Sequence, residues 1–238
     1  PLPQALTADH WQRIDDLSSE LENWEMLSPT ATTERTELLD VLATEIDLRR
    51  RDDPLTVLRQ LNSTLYSTFA YNAKSTRVDS PIDEALATRS GVCQDYSHIM
   101  LALVRNYLRI PCRYVSGYLY HLRADRSADG ASHAWVEAML PDLGWVGFDA
   151  TNNVLAGDRH IVVGIGRDYF DVPPTRGTFR GNASSELSVT VRVRHADDVL
   201  HEEDPLDEAQ PAYVATQQEL QEQYNRTLLE LMQMQQQQ

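Results

Sequence analysis

Ser90-Gly91-Val92-Cys93-Gln94-Asp95-Tyr96 opens a segment that runs to Leu108 and decides the architecture of the chain. Beyond Cys93 the apolar residues Ile99, Met100, Leu101, Leu103, Val104, Tyr107 and Leu108 spread around nearly the whole helical circumference. A helix that is apolar all round belongs in the middle of a domain. A cysteine at its amino end faces unpaired N–H groups and the positive end of the helix dipole, both of which favour the thiolate. Gly91 lets the chain turn tightly into the helix and leaves the sulfur approachable. A free cysteine is as readily a small buried hydrophobe, and this segment alone leaves the two readings balanced.

On the amino-terminal side, residues 1–30 show no sustained period and read as an entry segment packed on the surface. Leu38, Leu39, Leu42 and Ile46 recur at helical spacing between Thr32 and Arg50, with Thr32 and Thr33 as candidate caps. Pro54 followed by Leu55, Leu58, Leu61, Leu65 and Phe69 predicts a second amphipathic helix, and Ser80-Pro81 starts a short third one. Ile110-Pro111 ends the apolar helix, and the period then changes from 3.6 to 2. Strands are predicted at Cys112–Tyr120, His133–Leu140, Trp145–Ala150, His160–Val163 and Leu187–His195. Helices preceding strands joined by short turns predict an α+β domain, its helices packed on an antiparallel sheet. The core is expected over residues 31–198, and residues 199–238 read as an acidic break and a glutamine-rich helix or tail.

Two strand segments carry polar residues with chemical potential. His133, Trp135, Glu137 and Met139 share one face of the first, and Trp145, Gly147 and Asp149 one face of the second. The short Leu140–Gly144 link predicts a hairpin. Pairing Met139 with Trp145 makes Asp149 a diagonal neighbour of His133, within side-chain hydrogen-bond reach. A slip of one residue would put the two on opposite faces. Taken alone, each is most simply a structural histidine and a turn aspartate. Thiol, imidazole and carboxylate together are the parts of nucleophilic acyl transfer.

Composition narrows the partners. The 21 basic residues against 36 acidic ones give a net charge of −15, so no basic footprint exists for nucleic acid or anionic lipid. No apolar run reaches membrane-spanning length, and membrane insertion is not expected. Two cysteines cannot staple a fold of 238 residues, which favours a reducing compartment and a cytoplasmic location. Cys112, after Pro111 at the start of a strand, reads as structural. His195, His201, Glu202, Glu203 and Asp204 lack metal-ligand spacing. Neither a metal nor a cofactor is expected.

At this point a family resemblance emerges. Ser90–Tyr96, His133-Ala134-Trp135-Val136-Glu137 and Gly144–Asn153 resemble, in order and spacing, the three motifs of bacterial transglutaminase-like proteins, within the papain-type cysteine acyl-transfer superfamily. The similarity extends through residues 110–118 and 166–177 and covers about residues 30–195. It implies a papain-like, transglutaminase-core fold with Cys93 as nucleophile, His133 as base and Asp149 as the partner that orients it. Gln94, Trp135, Arg167 and Tyr169 are expected to line the substrate cleft. The implied substrate is a protein or peptide presenting a carboxamide or peptide carbonyl, with an amine acceptor if exchange rather than hydrolysis follows. The family also implies a β-rich domain upstream, to which residues 1–30 would be a remnant linker. The alternative is a binding or scaffold module that keeps the fold without turnover.

Overall fold

A computed structural model describes residues 2–73, 75–174, 177 and 189–195. Six helices, α1 (His10–Ser18), α2 (Trp24–Leu27), α3 (Glu37–Glu45), α4 (Pro54–Thr68), α5 (Ile82–Thr88) and α6 (Cys93–Leu103), precede the main sheet. Two-residue strands β1 (Ala70–Tyr71) and β2 (Ser90–Gly91) pair in parallel just ahead of α6. The main sheet contains β3 (Cys112–Leu119), β4 (His133–Leu140), β5 (Gly144–Asp149), β6 (Val154–Leu155) and β7 (His160–Gly166). Its order is β6-β5-β4-β3-β7, with every pair antiparallel.

Every residue of α6 from Gln94 to Leu103 is buried, as an apolar circumference requires. Ile99, Met100 and Leu103 pack in one core with Leu39, Leu58 and Leu65 from the preceding helices and with Ala134, Val136 and Phe148 from the sheet. The sheet alternation is therefore visible in burial: Val136 and Phe148 face that core, and their neighbours in sequence face the other side. On that other side Arg113 bonds Glu137 at 2.7 Å and lies 4.1 Å from the centre of the Trp145 ring.

Several expectations are corrected. Residues 10–27 form helical segments, and Ile14 is fully buried in the common core. The α3 cap is Thr36, whose hydroxyl accepts from the Leu39 N–H at 3.2 Å. Thr32 instead donates to Asp168, and Thr33 accepts from Arg105. Asp53 caps α4 by accepting from the N–H groups of Leu55 and Thr56. Val189–His195 forms no strand; Val191 N–H donates to the Gly130 carbonyl, and Leu187 and Ser188 lie outside the described residues. The 199–238 segment also lies outside them.

One buried cation fastens the periphery. Past α6 the chain makes a π-helical turn, Val104–Leu108, which carries Arg105 into full burial. Its guanidinium donates to the carbonyls of Met26, Cys112 and Arg167 and to the Thr33 hydroxyl, at 2.7–3.1 Å. Four chain segments distant in sequence thus depend on one planar group. Arg105→Met should lower stability by on the order of 3 kcal/mol, because it leaves buried acceptors unpaired. Urea unfolding checks this, and a change below about 1 kcal/mol would contradict it.

Candidate active site

The turn into α6 is built around Asp95. Its carboxylate accepts from the Val92 N–H at 2.8 Å and from the Thr76 hydroxyl, satisfying an N–H at the helix entrance. Burial pushes the Asp95 carboxyl up to about 6, against those bonds. A Cβ on Gly91 would lie 2.7 Å from Asp95 Cβ, so glycine is required there by the carboxylate folding back beneath it. Cys93 emerges from this turn half-buried at the first position of α6, and both cysteines are free thiols.

The β4–β5 hairpin has the register expected from strand parity: Met139 opposes Trp145 and Val136 opposes Phe148. Leu140 also pairs with Gly144, leaving a turn at residues 141–143. Asp149 therefore stands diagonal to His133, and His133 Nε2 bonds its Oδ2 at 2.8 Å. His133 is 2% exposed and Asp149 is fully buried. The Asp149 Oδ1 accepts from the N–H groups of Thr151 and Asn152, and Oδ2 also accepts from the Asn152 amide at 2.9 Å. Burial alone would raise this carboxyl; the bonds from His133, His160 and Asn152 outweigh it and hold the group well below the usual carboxylate range.

The imidazole responds in the opposite sense. Burial would lower His133, but its bond to Asp149 and its interaction with Cys93 raise it to about 10. Nε2 is committed to Asp149, and Nδ1 makes no other hydrogen bond among the described residues, so Nδ1 is the atom left to face the thiol. The arrangement can store a proton on His133 beside a cysteine sulfur in a buried environment.

Comparison with known proteins agrees with this architecture. The family model described as the transglutaminase-like superfamily matches residues 42–150, from α3 through the end of the β4–β5 hairpin. Over those residues the chain is similar to the transglutaminase-like superfamily. An uncharacterised protein of Mycobacterium tuberculosis is 40% identical over 156 residues, covering 61% of this chain and 49% of that protein. The uncharacterised protein YebA of Bacillus subtilis is 28% identical over 137 residues, covering 53% of this chain and 18% of YebA. The chain thus spans about half the length of the mycobacterial relative or less of the others. A solved candidate cysteine protease from Cytophaga hutchinsonii shares the fold, with a TM-score of 0.56 and 24% identity over 66% of this chain and 51% of that one.

The remaining cleft candidates lie at different depths. Gln94 is buried and spends its amide on the Val78 carbonyl at 2.8 Å. Trp135, 1% exposed, lies beside His133 with ring centres 6.2 Å apart. Arg167 forms an outward two-nitrogen pair with Asp171. Tyr169 packs edge-on against Tyr114 and donates its N–H to His98 Nε2 at 3.2 Å. Burial pushes His98 down to about 4, in keeping with an unprotonated acceptor nitrogen. Burial, with a smaller contribution from the neighbouring Cys93, pushes the Tyr114 phenol well above its ordinary value, which makes Tyr114 a further candidate wall.

Sequence reading overlooked His160 and Asn152. His160 Nε2 lies 3.3 Å from Asp149 Oδ2 and reaches it from the opposite edge strand. The two histidine nitrogens and the carboxylate oxygen, all within 4.8 Å of one another, are also a possible transition-metal donor set. Hydrogen bonding accounts for each of their contacts.

His133, whose folded value lies above its unfolded one, contributes stability fully below about pH 6.5 and loses it as pH rises towards 10. The stability advantage of the unmodified chain over Asp149→Asn should shrink across that interval. Histidine-labelled nuclear magnetic resonance should also find His133 doubly protonated near pH 8. A His133 titration near the ordinary 6.5 would contradict the assignment.

Proposed function

We propose that the chain is a cysteine-dependent acyl-transfer enzyme acting on the carboxamide or peptide carbonyl of a protein or peptide. The observation that carries the reading is the buried His133–Asp149 bond with Cys93 acting on the same imidazole. The match of residues 42–150 to the transglutaminase-like superfamily model supports the same chemistry.

On this reading the Cys93 sulfur attacks the carbonyl carbon and the carbonyl π pair moves to oxygen. The Cys93 N–H, in the first helical turn where no intrahelical carbonyl is available, stabilises that oxyanion. Collapse of the tetrahedral species breaks the carbon–nitrogen bond, and His133 gives its proton to the departing amine. A thioester remains on Cys93, with His133 neutral. Water then attacks the thioester, His133 takes its proton, and cleavage of the carbon–sulfur bond releases the acid and returns the thiolate–imidazolium pair. An amine in place of water would give a new amide. Hydrolysis is favoured as the default outcome, since water is always available and no feature of the sequence marks an amine subsite. Asp149 keeps the imidazole in one orientation and stabilises its protonated form throughout.

Alkylation by iodoacetamide, followed peptide by peptide, tests the nucleophile. Cys112 supplies an internal control, because full burial pushes its thiol up to about 11. Cys93 should react readily near pH 6, and His133→Ala should slow it by about a hundredfold. An unchanged Cys93 rate in His133→Ala would favour the binding or scaffold module instead.

A further inference from the structure

Asp149 receives a donor that the acyl-transfer reading does not use. His160, the first residue of β7, is separated from β5 in the sheet order by β4 and β3, yet its Nε2 reaches Asp149 Oδ2 at 3.3 Å. Gly117 sits where β7 pairs closely with β3. A Cβ there would lie 2.2 Å from the Ile161 carbonyl oxygen and 2.7 Å from the Trp135 ring, and the β3–β7 register shifts between Ser116 and Gly117.

The other ring nitrogen of His160 fixes the proton. Nδ1 accepts the Gly157 N–H at 3.3 Å, while the His160 N–H donates back to the Gly157 carbonyl at 2.8 Å. A neutral imidazole whose Nδ1 accepts carries its hydrogen on Nε2, which is the atom aimed at Asp149. The side chain is 3% exposed and stands edge-on to Trp135, with ring centres 5.1 Å apart at 76°. Three N–H groups from three different residues therefore converge on one carboxylate oxygen: His133, Asn152 and His160.

We infer that His160 is a positioning residue for the His133–Asp149 pair: as the Nε2–H tautomer it donates to the oxygen that receives His133 and fixes the rotation of that carboxylate. The inference rests on the reading of Cys93 and His133 as the reacting groups. Asn152 and Thr151 hold Asp149 from its own loop, whereas His160 holds it from across the sheet. The carboxylate is thereby anchored both from the loop after β5 and from β7. His160 also takes a share of the carboxylate charge that acts on His133, which tempers the proton affinity of the base.

The test compares the unmodified chain with His160→Leu, which fills the space without a donor, and His160→Gln, whose amide restores one. Nitrogen-labelled histidine spectra near pH 8 should show His160 protonated on Nε2. His160→Leu should slow Cys93 alkylation near pH 6 by about tenfold and move the midpoint of the His133 titration upward. His160→Gln should recover the rate to within about threefold and return that midpoint. Equal behaviour of the Leu and Gln variants, or a His160 proton on Nδ1, would overturn the inference. If the unmodified chain shows no His133-dependent Cys93 reactivity, the acyl-transfer reading falls instead, and the His160 tautomer and the His133 midpoint still decide whether the hydrogen bond exists.

Discussion

The structure depends on a buried hydrogen bond between an imidazole and a carboxylate, held in place by the register of one hairpin. Neither His133 nor Asp149 can be buried alone without a large desolvation cost; each becomes tolerable through the other and through the N–H groups around Asp149. Strand parity makes the arrangement all-or-nothing, because a one-residue slip in β4–β5 would send the two side chains to opposite faces. The hairpin is in turn fixed by its apolar face: Val136, Ala138, Val146 and Phe148 face the core that also receives α6. Core packing and site geometry are consequently one constraint.

The same economy appears at the start of α6. Asp95 closes the helix entrance by returning to the Val92 N–H, Gly91 gives it room, and Cys93 is thereby presented at the first helical position. The apolar circumference behind it drives the helix inward, so the thiol comes to lie beside the sheet end that carries His133. Arg105 performs the matching task at the far end of the helix, drawing α2, the 30–33 turn, the start of β3 and the chain after β7 onto one guanidinium.

What could be read from the sequence follows the range of the interactions. The all-round apolar pattern of α6, the Pro54 helix and the His133–Asp149 parity are local or depend on one short turn, and each was legible. Thr36 displaced Thr32 and Thr33 as the α3 cap because those two threonines are engaged by Asp168 and Arg105, partners far away in sequence. The 10–27 helices escaped notice because short amphipathic segments have weak periods, and the burial of Ile14 is decided by tertiary packing. The clean alternation after Leu187 did not suffice for a strand at Val189–His195, since alternation records compatibility with a sheet and does not supply a partner. His160 was visible only as the first residue of a weak strand; its relation to Asp149 is a contact between strands that are not neighbours in the sheet, which no local pattern records.

The central claim is that Cys93, His133 and Asp149 form one electrostatic unit rather than three separately buried groups. The most direct measurement is the ultraviolet band of the thiolate, recorded near pH 6.5 as a difference against Cys93→Ala, in the unmodified chain and in Asp149→Asn. The account predicts a Cys93 thiolate band in the unmodified chain that is largely lost when Asp149 no longer supports the imidazolium. No band in the unmodified chain, or an equal band in both, would contradict it.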